Sequence, residues 1–249
     1  NSIYGAFINR FIMTTENLNI VLLLDSKNYG GIETHVANLA KGLHKSGHNV
    51  KIILLNNFGE HPVFESEQFL QSILIKLNGG FKELLILLKK SDINLVHTHG
   101  YKAGIIGRIC CRLSNKPVVS TFHSGEKGNI KIRLYRWIDC LTAQFSTCIC
   151  VSEQIKKTAN LTADVIQNFV ELPTQLFKTT EQSTQVAFVG RLSFEKGPDV
   201  FLRLAKQLPQ YTFSIYGDGP MLAEINATAT NNVKLVGHVT SMKPYWAKI

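Results

Sequence analysis

The feature that most constrains this chain is a repeated beat: a short unbroken apolar run, a loop carrying glycine, then an amphipathic helical stretch. Asn19 to Leu24 opens it, Gly30-Gly31 punctuates the loop, and Val36, Leu39, Ala40 and Leu43 recur at helical spacing until Gly47. Val50 to Leu55 is the next apolar run. A strand that is apolar along its whole length must be covered on both faces. Alternation of such strands with amphipathic helices therefore predicts an α/β fold built on a doubly wound parallel sheet.

The beat continues with a helix over Gly80 to Lys90, a strand Ile93 to His97, a helix from Tyr101 to Leu113 and a strand Pro117 to Thr121. A helix from Ile130 to Phe145, a strand Thr147 to Val151, a helix from Ser152 and a short strand Asp164 to Gln167 complete the cycle. Between Glu171 and Gln185 the rhythm gives way to Pro, Thr, Gln and Lys, a linker composition. A second cycle follows: strand Gln185 to Val189, a helix from Gly197-Pro198 through Leu208, strand Tyr211 to Tyr216, a helix from Met221 and strand Asn232 to Val236. The expected organisation is an N-terminal Rossmann-like domain over 13–172, a linker over 173–184 and a partial second domain over 185–249. Residues 1–12 read as an upstream or tag-like segment, since the first methionine is Met13; an N-terminal helix of a fragment is the alternative.

With 45% hydrophobic residues among 249, the chain can bury a real core, which excludes global disorder. Its apolar runs, such as Leu84 to Leu88, fall far short of the roughly 20 residues a spanning helix needs. Ile3 to Met13 contains Arg10 and lacks a small-residue cleavage site, so it does not read as a signal peptide. Cys110, Cys111, Cys140, Cys148 and Cys150 form no C-x-x-C pair and read as reduced thiols of a cytoplasmic protein.

Open parallel sheets bind ligands at the carboxyl ends of their strands, where helix N-termini present free N–H groups. Gly30 and Gly31 open a helix there, serving either a tight turn or close approach of a substrate. No G-x-G-x-x-G follows the first strand, and the second ends in Asn56-Asn57 without an acid, which disfavours a dinucleotide-dependent enzyme. His97 and His99 share a strand face and could chelate a metal, but no carboxylate or cysteine joins them at ligand spacing. A pocket-lining or hydrogen-bonding role is expected for the pair, and no metal. His123, in the polar run Thr121-Phe122-His123-Ser124-Gly125, suits a hydrogen bond to a ligand or proton transfer, with a structural histidine as the alternative. In Val189-Gly190-Arg191-Leu192-Ser193-Phe194-Glu195-Lys196-Gly197, Arg191 and Lys196 stand just before a helix. They form either a diphosphate cage or a solvated pair.

Taken together, Gly30-Gly31-Ile32-Glu33-Thr34-His35-Val36, His97-Thr98-His99, Thr121-Phe122-His123, Val151-Ser152-Glu153, Gly190-Arg191 with Glu195-Lys196-Gly197, and Gly217-Asp218-Gly219-Pro220 closely resemble retaining glycosyltransferases of family 4. The resemblance runs from about Asn19 to Ile249 in the family's order. It implies a GT-B-like fold of two Rossmann-like doubly wound domains, the second incomplete here. It also implies a nucleotide-sugar donor, a saccharide or lipid-linked acceptor, and transfer with retention, as in cell-surface polysaccharide or glycolipid synthesis. By matching motif positions, Arg191 and Lys196 would hold the donor diphosphate and stabilise the departing charge, and His123 would contact the transferring sugar. Gly30, Gly31 and Gly217 would belong to the donor side, and His97 and His99 to the acceptor side. No metal or cofactor is implied.

Two departures bear on this. Asn168-Phe169 stands where the family has Asn-Gly, and the chain ends at Ile249 before the family's acidic E-x7-E segment. A truncated transferase with weak or no turnover is therefore expected. The rival readings are a sugar-nucleotide epimerase of the same fold, for which Asp25, Glu33 and Glu126 are the only obvious first-domain carboxylates, and a non-catalytic partner subunit.

The charge is +9, from 27 Lys+Arg against 18 Asp+Glu. Lys127, Lys131, Arg133 and Arg136 cluster after His123 with Tyr135 and Trp137 among them. Leu134, Ile138, Leu141 and Phe145 are expected to form the buried stripe of their helix, with the basic residues outward. Such a helix suits peripheral contact with an anionic membrane on the cytoplasmic face, plain solubility being the alternative. No nucleic-acid-binding module accompanies the charge, so no nucleic-acid partner is expected.

Overall fold

The computed structural model describes residues 17–27, 30–123, 130–169, 184–239, 242–246 and 249. The expectations placed on 1–12, Met13, Ser124, Gly125, Glu126, Lys127 and 173–183 lie outside these residues, as does the side chain of Lys131. The chain divides into two compact units, 1–171 and 172–249.

In the first unit, β1 (Asn19–Leu24) leads into α1 (Gly31–Lys45) and β2 (Asn49–Leu54). A short α2 (Gln68–Ser72) precedes β3 (Leu74–Lys76), followed by α3 (Phe81–Lys90), β4 (Leu95–His99), α4 (Tyr101–Ser114) and β5 (Val118–Phe122). Then come α5 (Ile130–Thr142), a 3-10 turn (Ala143–Phe145), β6 (Thr147–Cys150), α6 (Glu153–Ala159) and β7 (Asp164–Val165). Its seven described strands are parallel, in the order β3-β2-β1-β4-β5-β6-β7. The order reverses between β1 and β4, the kind of switch point where such sheets bind ligands.

The unbroken apolar run of β1 is explained by its two neighbourhoods. Ile20, Leu22 and Leu24 pack with Val36, Leu39, Ala40 and Leu43 of α1, whereas Val21 and Leu23 pack with Leu84 and Leu88 of α3 and Cys110 and Cys111 of α4. Helix α4 lies so close to the sheet that a Cβ on Gly107 would come within 2.6 Å of Thr98 Cγ2 and 2.7 Å of Leu23 Cδ2. The cysteines are free, and burial pushes the Cys111 thiol up to about 12 and that of Cys110 to about 11, which leaves both inert.

Three expectations need correction. Helix α2 and strand β3 were not anticipated; β3 is a three-residue, half-buried edge strand, too short to show a pattern. Strand β4 runs to His99 rather than His97, so both histidines lie inside the strand. Most of the stripe expected to be buried faces outward instead: Leu134 is 57% exposed, Leu141 54% and Phe145, in the 3-10 turn after α5, 39%, while Ile138 is half-buried. The physical cause is Arg108 of α4, buried and paired with Asp139, so that the polar Asp139 and Thr142 turn inward with Ala143.

In the second unit, β8 (Gln185–Val189) is followed by a 3-10 turn (Phe194–Lys196), α7 (Pro198–Gln207), β9 (Thr212–Tyr216), α8 (Leu222–Thr228), β10 (Val233–Gly237) and a short α9 (Lys243–Trp246). Its three described strands are parallel in the order β10-β9-β8. Leu192, Leu202, Ile215 and Ile225 form its core with Phe188 and Phe201 against it.

Candidate functional site

At the switch point, the carboxyl ends of β1, β4 and β5 lie side by side, with His99 in register with Leu24 on one side and Thr121 on the other. Successive residues of a strand point to opposite faces, which sorts β4. Thr98 meets Ser120, with 2.8 Å between the hydroxyls, and Ser120 Oγ also accepts a 3.1 Å hydrogen bond from Arg108. On the other face, His97 Nε2 lies 2.7 Å from Thr121 Oγ1, and His99 Nδ1 lies 3.0 Å from His123 Nε2.

The sequence reading did not include His35 among the site residues. Its ring centroid lies 4.9 Å from that of His123, 5.6 Å from that of His99 and 5.4 Å from the Phe169 ring. The signal was its position one helical turn before Leu39, on the buried stripe of α1. His97 stacks beside His99 with centroids 4.2 Å apart.

Burial disfavours the charged imidazolium throughout this group. It lowers His35 to about 4 and His97 to about 3, where the neighbouring His35 adds to the effect. The same burial, reinforced by His35 and His97, lowers His123 to about 3; His99 is lowered well below its usual value. At neutral pH the cluster is a set of uncharged imidazoles, each able to donate one hydrogen bond and accept another.

Gly30 is the extended N-cap of α1, and its carbonyl accepts from the Thr34 amide at 3.2 Å. No described atom lies within 4 Å of where a Cβ on Gly31 would sit. Nearby carboxylates are engaged: Asp25 accepts from Asn56 Nδ2 at 2.6 Å and pairs with Lys102 at 2.8 Å, and Glu33 accepts from Ser26 Oγ at 2.5 Å.

In the second unit, the loop after β8 is pinned by backbone. The Gly190 amide donates to Tyr216 O, Leu192 to Asp218 O, and Met221 to Leu192 O, at 2.9, 2.9 and 3.0 Å. Gly217 has a packing reason, because a Cβ there would sit 1.8 Å from Gly190 O. Gly197 then takes the left-handed conformation at φ +66° as N-cap of α7, with Pro198 at the first helical position. Arg191 and Lys196 are exposed on this loop, and neither side chain makes a hydrogen bond or ion pair with another described residue, although both backbones bond to Ser193. Glu195 is occupied with Ser193 Oγ at 2.6 Å, which holds its carboxyl below the usual range.

Two successive parallel α/β units, with imidazoles at one switch point and free cations beside a helix start in the other, define a fold of the GT-B class. Residues 29–172 match the family model described as Glycosyltransferase Family 4, and 183–249 match Glycosyl transferases group 1. The chain belongs to glycosyltransferase family 4. It is 29% identical over 194 residues to an Escherichia coli UDP-Gal:alpha-D-GlcNAc-diphosphoundecaprenol alpha-1,3-galactosyltransferase, covering 65% of this chain and 50% of that one. A Campylobacter jejuni GalNAc-alpha-(1->4)-GalNAc-alpha-(1->3)-diNAcBac-PP-undecaprenol alpha-1,4-N-acetyl-D-galactosaminyltransferase is 26% identical, over 93% of this chain and 71% of the other. The chain thus spans half the length of the first relative. Among solved structures, Anabaena Alr3699/HepE in complex with UDP superposes with a TM-score of 0.71 at 19% identity, over 89% of this chain and 70% of the other.

Proposed function

We propose that this chain serves a retaining glycosyltransferase that moves a sugar from a UDP-sugar donor to a saccharide acceptor carried on a lipid diphosphate. The observation that carries the reading is the pair Arg191 and Lys196, exposed on a backbone-pinned loop before α7, with Glu195 near enough to feel both charges but hydrogen-bonded to Ser193 and in no ion pair with either. An arginine fork and a lysine ammonium beside a helix start match a diphosphate, and they stabilise the same charge as it develops on the leaving group. In this reading the basic pair supplies the charge stabilisation without a metal. On the same reading His97 and His99 serve the acceptor, His123 donates to or accepts from a hydroxyl of the transferring sugar, and Gly30 and Gly31 serve the donor. The lipid diphosphate is suggested by the substrates that the two bacterial relatives' names carry. The test is calorimetric titration of the chain with UDP: wild-type protein should bind, and loss of Arg191 or Lys196 should weaken binding. Binding unaffected by both changes would sink the reading.

A membrane contact is proposed for α5. Ile130, Leu134, Trp137 and Leu141 lie at helical spacing along one outward face, 84%, 57%, 63% and 54% exposed, with Arg133 beside them. An apolar stripe with a basic flank matches an anionic bilayer surface on the cytoplasmic side, where a lipid-linked acceptor would be reached. No helix of the described residues is long and apolar enough to cross a membrane.

A further inference from the structure

The switch point gathers more imidazole than contact with one sugar hydroxyl requires. His35 from α1, His99 from β4 and His123 after β5 each offer a ring nitrogen, and these atoms lie within 4.8 Å of one another. His99 is 1% exposed, and its Nε2 is buried with no hydrogen-bond partner among the described residues. That nitrogen can carry the ring's single proton, which leaves Nδ1 as the ligand atom. The 3.0 Å between His99 Nδ1 and His123 Nε2 points the same way. Two nitrogens bound tetrahedrally to one dication at about 2.0–2.1 Å each are separated by about 3.3 Å, close to this spacing, so the pair can share a cation once both rings turn their lone pairs off the line that joins them.

We propose that His35, His99 and His123 form a binding site for a borderline transition-metal dication of the zinc class, with a fourth coordination position that no described His, Cys, Asp or Glu fills. Imidazole-only ligation suits zinc, copper, nickel and cobalt, and gives calcium or magnesium none of the oxygens they need. The carboxylates of Asp25, Glu33 and Asp139 are each taken by other partners. Binding needs no net proton release from neutral rings. Of the facing pair, one nitrogen carries the proton, and that ring changes tautomer so that both lone pairs meet the cation; His99 Nε2 is open to take the displaced proton. His123 cannot serve a sugar and a cation together, so occupancy would oppose transfer; this consequence rests on the role proposed above for His123, whereas the binding does not.

The test titrates the metal-free 249-residue chain with Zn2+ against a chromophoric chelator, and with Co2+ by electronic absorption. One equivalent should bind, and each of H35Q, H99Q and H123Q should weaken binding at least about tenfold, while H44Q, at a ring stacked on Phe69 elsewhere, should not. Absence of stoichiometric binding, or binding indifferent to the three changes, overturns the site. Because His35 and His99 are buried, zinc-edge X-ray absorption on the unmodified chain reads the ligands without any substitution. Three imidazoles are expected; sulfur ligation from the cysteines, or fewer than three imidazoles, overturns the proposal.

Discussion

Arg108 of α4 and Asp139 of α5 form an ion pair almost closed to solvent, their side chains 1% and 5% exposed. The guanidinium also donates to Thr142 Oγ1 at 2.8 Å, to the Asp139 carbonyl at 2.9 Å and to Ser120 Oγ at 3.1 Å, and lies 5.7 Å from the Phe122 ring centre. A buried charge supplied with this many partners is costly to orphan. Arg108→Ala should destabilise the first unit by about 3–5 kcal/mol, because Asp139, Thr142 and Ser120 are left buried without their partner. Urea unfolding followed by far-ultraviolet circular dichroism measures this, and a loss below about 1 kcal/mol would contradict it.

Asp139 also makes a pH prediction. Burial pushes its carboxyl up to about 6, against the pull of Arg108. A carboxyl that holds its proton more tightly when folded contributes stability that is complete below about 3.9, the unfolded value, and is lost as pH rises through about 6. The unfolding free energy of the wild type minus that of Asp139→Asn should therefore fall with pH across that window, by up to about 1.4 kcal/mol per unit, and level off above it. A difference that rises with pH over the same window contradicts the assignment.

Two glycines should respond oppositely to an added methyl. Gly217→Ala places its Cβ 1.8 Å from the backbone oxygen of Gly190, so the second unit should lose at least about 2 kcal/mol, read as a drop in its thermal midpoint. Gly31→Ala meets no described atom within 4 Å, so stability should stay within about 0.5 kcal/mol; any loss of donor binding there would come from the ligand side.

Arg191→Ala and Lys196→Ala remove exposed side chains that make no hydrogen bond or ion pair with a described residue, so neither should change stability beyond about 0.5 kcal/mol. Each should cost about 1.5–3 kcal/mol of UDP binding, roughly 10- to 150-fold in Kd by calorimetry. Equal losses of stability and affinity would mark them as structural instead.

Trp137→Glu with Leu134→Gln breaks the outward stripe of α5 without touching Asp139 or Thr142. Co-sedimentation with vesicles containing phosphatidylglycerol should fall several-fold, whereas neutral vesicles should bind neither form. Wild-type binding that ignores lipid charge would remove the membrane proposal.

The sheet was legible in the sequence because its central strands are buried on both faces, which forces unbroken apolar runs such as residues 20–24 of β1 and 52–54 of β2. Strand β3 was not, since three half-buried edge residues carry no such demand. The helical period of α5 was read correctly and its buried face was not. Apolar spacing says which residues share a face, but the inward face was chosen by Arg108, a residue on another helix whose partners no local pattern reveals. The candidate site divides in the same way. His97, His99 and His123 announced themselves as polar residues at strand ends, whereas His35 sat inside an apolar helical stripe and became visible only when α1 docked beside β4 and β5.

The single threonine between His97 and His99 sets how these rings are presented to a ligand. Thr98 is fastened to Ser120, and Ser120 to the buried guanidinium of Arg108, on the face of the sheet away from the imidazoles. Neither ring can be turned by rotating the strand unless that hidden clasp opens. A ligand arriving at the histidines therefore meets a jaw already set, and little of its binding energy is spent on arranging the protein to receive it.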